Sequence, residues 1–248
     1  MDLGLTPDTR WKTDAAALVG AAYAAGFTML GTTSLLVTPE VPDLYVRAGL
    51  GCHELLGLVV TDIDATLNWA TQVAEQAALM GATWVNTTFK AVDGDTSSLV
   101  RRCAAMLAEA GAGMAIEFSP LGPVASLQDG LDMVDLSGSD RAGVVVDIWN
   151  VSYGPTTWAE LERLPADRIA YVQFNDALPR VGALDIEAMN RRTYPGQGAF
   201  EVDRFVSVVR ANGWDGVVSV QILSEELRQL PLAEFARRAF ETSTAYWL

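Results

Sequence analysis

The chain has 248 residues, of which 50% are hydrophobic and 21 are glycine, enough for one large α/β unit with a sizeable core. Its 17 Lys and Arg stand against 31 Asp and Glu, and the formal net charge of −14 argues against nucleic acid or an anionic membrane surface as the main partner. Met1 to Asp8 lack a basic and apolar leader pattern, no apolar run approaches the length of a membrane span, and Cys52 and Cys103 show no metal or disulfide spacing, so a cytoplasmic protein is expected.

In chain order, Leu3 to Thr6 is a short apolar start, and the alanine-rich stretch from Thr13 to Ala25 predicts a helix closed by Gly26. The pattern repeats. Phe27 to Leu30 precedes a helix near Pro39 to Ala48, Leu50 to Val60 precedes Asp64 to Met80, and Thr83 to Thr88 precedes Ser97 to Ala110. Gly113 to Phe118 then leads to Ala125 to Val134, and Gly143 to Ile148 leads to Thr157 to Leu164. Ile169 to Phe174 runs through a long loop to Val202 to Ala211, and Gly216 to Leu223 runs to Pro231 to Tyr246. Eight strand-helix units in this length have the rhythm of a single (β/α)8 TIM barrel occupying residues 1–248; a doubly wound open sheet is the alternative. Gly4-Leu-Thr-Pro7 is too sparse for a dinucleotide fingerprint, and no Walker-type loop appears.

In a barrel the chemistry belongs at the carboxyl ends of the strands. The run Gly143-Val-Val-Val-Asp147 reads as a strand buried on both faces that stops on a carboxylate. Alternation puts Asp147 on the face of Gly143 and Val145, Glu117 with Ala115, Gln173 with Tyr171 and Gln221 with Ser219, leaving the larger aliphatics toward the helices. Four successive strands thus end on oxygen-bearing side chains.

Ala115-Ile-Glu117-Phe, Val146-Asp147-Ile-Trp-Asn150, Ile169-Ala-Tyr-Val-Gln173-Phe-Asn-Asp176, Pro195-Gly-Gln-Gly198 and Gly213-Trp-Asp-Gly216 through Gln221 together resemble the xylose-isomerase-like TIM barrels, the sugar phosphate isomerase and epimerase superfamily. For members with a metal, the resemblance implies Glu, Asp, His and Glu ligands from strands five to eight around one divalent cation, with the outer carboxylates moving a proton beside a carbonyl. Glu117 and Asp147 match the first two positions, whereas Gln173 and Gln221 replace the histidine and the last glutamate, and Asn150 stands where a histidine is usual. Two amides weaken a transition-metal site; the expectation is one hard cation such as Mg2+ or Mn2+, or none. An amide cannot accept a proton at neutral pH, so Gln221 is no second base, and Glu117 is the expected base if its surroundings raise its pKa.

His53, the single histidine, is a further catalytic candidate if it faces the pocket; if residues 55 to 60 continue its strand, it lies mid-barrel instead. Lys90, one of two lysines, and the Arg191-Arg192 pair are candidate holders of a carboxylate or phosphate. Trp149, Asn150, Tyr153 and Asn175 follow strand ends and are expected to line a pocket drier than a sugar site, suited to a cyclic substrate. The expected activity is that of an isomerase or epimerase acting on a small hydroxy-carbonyl compound, sugar-like or a cyclic polyol. The alternatives are a lyase resembling 3-dehydroshikimate dehydratase, without a metal requirement, and a barrel that binds a small ligand without turnover. A homodimer is compatible with the resemblance.

Overall fold

Residues 1–248 are described by a computed structural model in which eight parallel strands close on themselves. In chain order the strands are β1 (Asp2–Leu5), β2 (Met29–Thr33), β3 (Gly51–Val60), β4 (Trp84–Phe89), β5 (Gly113–Glu117), β6 (Ala142–Asp147), β7 (Ile169–Phe174), then two short ones, β8 (Asp176–Ala177) and β9 (Arg192–Thr193), and β10 (Val217–Val220). Closure comes from β1, which pairs with β2 on one side and with β10 on the other. The helices are α1 (Ala15–Ala25), α2 (Val41–Ala48), α3 (Ile63–Met80), α4 (Thr96–Glu109), α5 (Leu127–Ser137), α6 (Ile148–Tyr153), α7 (Trp158–Leu161), α8 (Leu184–Asn190), α9 (Val202–Ala211) and α10 (Leu232–Trp247). None is long and apolar enough to cross a membrane.

Local chemistry sets these boundaries. The Asp14 side chain accepts from the Ala17 N–H to start α1, and Gly26 ends it at φ 105°, a conformation that costs other residues more. Asp62 and Gly81 do the same for α3, and Ser126 with Asp129 forms a reciprocal cap on α5. The valines of β6 divide as alternation requires. Val144 and Val146 join the main core between barrel and helices, while Val145 packs inside the barrel with Ala115, Ala170 and Tyr171.

Two features depart from the expectation. The segment after Asp147 is helical rather than open loop, because Asp147 itself accepts from the Trp149 N–H at 2.9 Å and caps α6. The long connection after β7 holds α8 and the antiparallel β8–β9 ladder, in which Asp176 opposes Thr193 and Ala177 opposes Arg192. The Asp176 carboxylate accepts from the backbone N–H groups of Ala177, Gly198 and Phe200 at 2.8 to 3.0 Å, which fastens this connection over the strand ends.

The β2–β3 pairing contains the irregularity that matters most for the interior. Leu30 pairs with Cys52, but Thr32 pairs with Leu55, so Gly31 alone faces both His53 and Glu54. This is a β-bulge, and it turns two consecutive side chains to one face. A Cβ on Gly31 would lie 2.6 Å from Glu54 Oε1, and one on Gly4 would lie 2.9 Å from His53 Cε1, so both side chains project into the barrel.

Candidate active site

At the carboxyl end of β6, Asp147 is fully buried and fully engaged. Its Oδ1 accepts from the Trp149 N–H and from Asn175 Nδ2, each at 2.9 Å, and its Oδ2 accepts from Arg192 Nη1 at 2.8 Å. The same Nη1 donates to Gln221 Oε1 at 3.0 Å, at the end of β10. Arg192 Nε donates to the Ala188 carbonyl at 3.1 Å, and the guanidinium lies 5.2 Å over the Trp149 ring. The β8–β9 ladder and α8 therefore deliver one cation between two strand ends.

Glu117 ends β5 and is the strand-end carboxylate that keeps partial access to solvent. Asn86 Nδ2 donates to its Oε2 at 2.9 Å, and Asn150 Nδ2 reaches Oε1 at 3.4 Å. Its pKa is raised from the ordinary 4.5, first by burial and then by the negative charges of Asp147 and Glu54; the Asn86 hydrogen bond and the charge of Arg192 oppose the rise without cancelling it. A carboxylate so tuned is a better base at neutral pH than an ordinary glutamate.

Beneath Glu117 runs a second set of polar groups. Asn86 Nδ2 also donates to the Tyr171 hydroxyl at 3.1 Å, deep in the barrel, where the Glu54 carboxylate makes ionisation of that hydroxyl harder. Thr6 Oγ1 donates to Glu54 Oε1 and lies 2.6 Å from Ser219 Oγ. His53 Nε2 stands 3.3 Å from Glu54 Oε1, close enough for attraction between charges but misaligned for a hydrogen bond. Burial would raise the Glu54 carboxyl, yet the His53 charge and the hydrogen bond from Thr6 outweigh it and hold the pKa below its ordinary value.

Gln173 is fully buried beside Asp147 in the β6–β7 register, and neither atom of its amide has a partner within the chain. A buried amide with both ends free calls for a ligand or an ordered water. Trp149 meets Tyr153 at 5.0 Å between ring centres with the planes tilted by 54°, and Tyr153 meets Phe200 edge-on at 5.4 Å, an aromatic row that starts under the Arg192 guanidinium.

Glu117, Asp147, Gln173, Gln221, Trp149, Asn150, Asn175 and Arg192 thus gather at one end of the barrel. Three candidates from the sequence do not join them. Lys90 is exposed beyond β4 and its side chain bonds to nothing in the chain. Arg191 lies just before β9, at the C-terminal end of α8, and pairs with Glu187 one turn back on that helix at 3.0 Å instead of reaching Asp147. His53 sits wholly inside the barrel, below the rim, because β3 continues to Val60 and the bulge turns the imidazole onto Glu54 and Tyr171. Glu54, Thr6 and Asn86 were missed by the sequence reading. Gly31, placed opposite a run containing adjacent His and Glu, was the one available cue.

A divalent cation does not fit this donor set. No three His, Cys, Asp or Glu side chains come together, and the Arg192 guanidinium already bonds Asp147 and Gln221, two of the four positions that would have to supply a metal. A groove of about 540 Å³ between the β1–α1 and β10–α10 connections, lined by Arg10, Trp11, Lys12 and Arg228 among others, includes none of the four strand-end residues.

The family model for xylose isomerase-like TIM barrels matches residues 61–243. Among curated proteins, the chain is 28% identical over 158 residues to inosose isomerase of Halalkalibacterium halodurans, an alignment covering 59% of this chain and 55% of the relative. It is also 28% identical over 102 residues to 3-dehydroshikimate dehydratase of Pseudomonas aeruginosa, covering 40% of this chain and 16% of that protein. The chain therefore spans about half the length of the first relative and a small part of the second. Among solved structures, the IolI protein with a bound zinc atom superimposes with a TM-score of 0.88 at 16% identity, over 99% of this chain and 98% of that one. The closed barrel and the match over residues 61–243 agree, and the chain belongs to the xylose isomerase-like TIM barrel family.

Proposed function

We propose that the protein is an isomerase or epimerase that moves a proton beside the carbonyl of a small cyclic polyol ketone or similar hydroxy-carbonyl compound, with Glu117 as the base. The observation that carries this reading is Glu117 itself, partly open at the barrel mouth, oriented by Asn86 and Asn150, and raised in pKa by burial and by Asp147. The Glu117 carboxylate takes the proton from the hydroxyl-bearing carbon, and the C–H electron pair becomes a C=C bond as the carbonyl oxygen takes up negative charge. A proton passes between the two oxygens of the enediolate, and the protonated Glu117, partly open to solvent and exchanging with it, delivers a proton to the former carbonyl carbon. Gln173 Nε2 is free to donate to one oxygen and Asn175 Oδ1 is free to accept from a hydroxyl, and the rings of Trp149 and Tyr153 suit the apolar face of a ring. No step runs through a metal. The inosose isomerase relative supports the substrate class.

The test is proton exchange. Ketones of cyclic polyols and keto sugars, incubated with the protein in deuterated water, are expected to lose the proton beside the carbonyl, and Glu117→Gln is expected to abolish that loss. No exchange with any of them would overturn the reading. A single base together with the dehydratase relative favours elimination of water as the second reading, which the same spectra reveal as a new C=C signal without exchange into recovered substrate.

A further inference from the structure

We propose that Arg192 has taken over the place of a divalent cation in this barrel, so that the positive charge of the site is an internal guanidinium rather than a metal. The resemblance puts a cation among the ends of β5, β6, β7 and β10, and in this chain a cation is there. One guanidinium nitrogen, Nη1, bonds Asp147 Oδ2 at 2.8 Å and Gln221 Oε1 at 3.0 Å, spanning two of the four positions. The side chain is only 4% exposed and is held from three directions, by those two bonds, by the Ala188 carbonyl on Nε and by the Trp149 ring. It is a built feature of the interior and not a surface arginine folded inward.

The amides at the other positions follow from the same exchange. The resemblance surrounds a metal of charge +2 with three carboxylates and an imidazole, whereas a guanidinium of charge +1 needs fewer anions around it. Gln221 accepts from Nη1 as a neutral oxygen, and Gln173, with no histidine's lone pair to give to a metal, is left with both amide atoms free. A guanidinium stays charged at every working pH and cannot be stripped by chelators. It also has a donor to spare. Nη2 makes no hydrogen bond within the chain and is not among the buried unpaired atoms, so it is the part of the cation open to an incoming oxygen. In the reaction proposed above, on which only this assignment rests, Nη2–H donates to the carbonyl oxygen as negative charge develops on it, with no proton transferred.

The replacement is tested without substrate, using Mn2+ alone and Zn2+ alone. Elemental analysis of the purified protein is expected to find no stoichiometric metal, and calorimetric titration with either ion is expected to show no saturable site. One equivalent of either ion bound at micromolar or tighter affinity overturns the proposal. Two variants then isolate the arginine. Gln173→His with Gln221→Glu restores the ligand types while keeping Arg192, and adding Arg192→Met removes the resident cation. The triple variant is expected to bind Mn2+ at least about tenfold more tightly than the double, because a like charge beside the site has gone; equal affinities overturn the proposal. If the triple variant does not fold, Arg192→Ala alone is melted with methylguanidinium and with Mn2+. A rise in Tm with methylguanidinium and none with Mn2+ is expected, and the reverse overturns the proposal. These results do not depend on turnover, so a protein inactive on every ketone would sink the proposed reaction and leave this inference standing.

Discussion

Arg192 Nη1 lies 2.8 Å from Asp147 Oδ2, and the two side chains are 4% and 0% exposed. Water screens such a pair poorly, so removing one partner leaves the other charge buried without compensation, at a cost of about 3–5 kcal/mol. Arg192→Met is expected to lose stability on that scale in urea unfolding. Asp147→Ala is expected to lose more, because it also removes the cap on α6 and the acceptor for Asn175. The double variant is expected to fall short of the sum of the singles by about 1–3 kcal/mol, the coupling of two residues in contact. Strict additivity would mean that the pair contributes nothing as a pair.

Glu117 links activity and stability with opposite signs. Its folded pKa is raised, first by burial and then by Asp147 and Glu54, so the folded protein holds that proton more tightly than the unfolded chain does. The stabilising contribution is complete below the unfolded value of about 4.3 and is lost as pH rises through the folded pKa. Glu117→Gln, which keeps an acceptor for Asn86 without a charge, is therefore expected to melt at a higher temperature than the wild type at pH 7. That advantage should shrink toward pH 4. The rate requires the ionised form, so kcat/KM should rise with pH along an acidic limb lying above the ordinary glutamate range, and the variant should lose about 10²–10⁴-fold in rate. A variant less stable than wild type at neutral pH, or an acidic limb near 4, would contradict this assignment.

The eight-unit rhythm and the inward set on β5, β6, β7 and β10 were legible in the sequence for a simple reason. Those four strands pair in register except for one slip near Ile169, so period-two alternation carries from Ala115 to Glu117, Val145 to Asp147, Tyr171 to Gln173 and Ser219 to Gln221. The other half of the interior was not legible. Alternation allows one of His53 and Glu54 inside, and only the bulge opposite Gly31 admits both. Arg192 was visible as one of a pair, but a ladder of two residues has no period to show which arginine turns inward. That choice was made by tertiary contacts, with Glu187 taking Arg191 and Asp147 taking Arg192.

The bulge can be tested at Gly31. A Cβ there would lie 2.6 Å from Glu54 Oε1 and 2.8 Å from its Cγ, and Glu54 is fully buried with Oε1 held by Thr6. Gly31→Ala is expected to cost about 1–3 kcal/mol through overpacking. Gly20 supplies the control. It is exposed in the middle of α1 with nothing within 4 Å of a Cβ, so Gly20→Ala should stabilise by about 0.5–1 kcal/mol. Denaturant unfolding of the two variants should move in opposite directions. A neutral Gly31→Ala would show that the Glu54 carboxylate is not fixed where the bulge puts it.

Glu54 should leave its mark on acid stability. Burial works to raise its pKa, but the His53 charge and the hydrogen bond from Thr6 prevail, and the folded value lies below the ordinary 4.5. A carboxyl with a depressed folded pKa binds its proton more readily in the unfolded chain, so its contribution is present above the unfolded value of about 4.3 and is lost as pH falls through the folded one. Wild-type unfolding free energy should therefore drop more steeply on acidification below about pH 4.5 than that of Glu54→Gln, which has no carboxylate to protonate there. The gap between the two curves should be widest from pH 5 to 7 and should narrow toward pH 3. Curves that stay parallel down to pH 3 would mean that Glu54 is already protonated in the folded barrel, in which case His53 has no anionic partner and the polar chain below Glu117 carries one negative charge fewer than its hydrogen bonds imply.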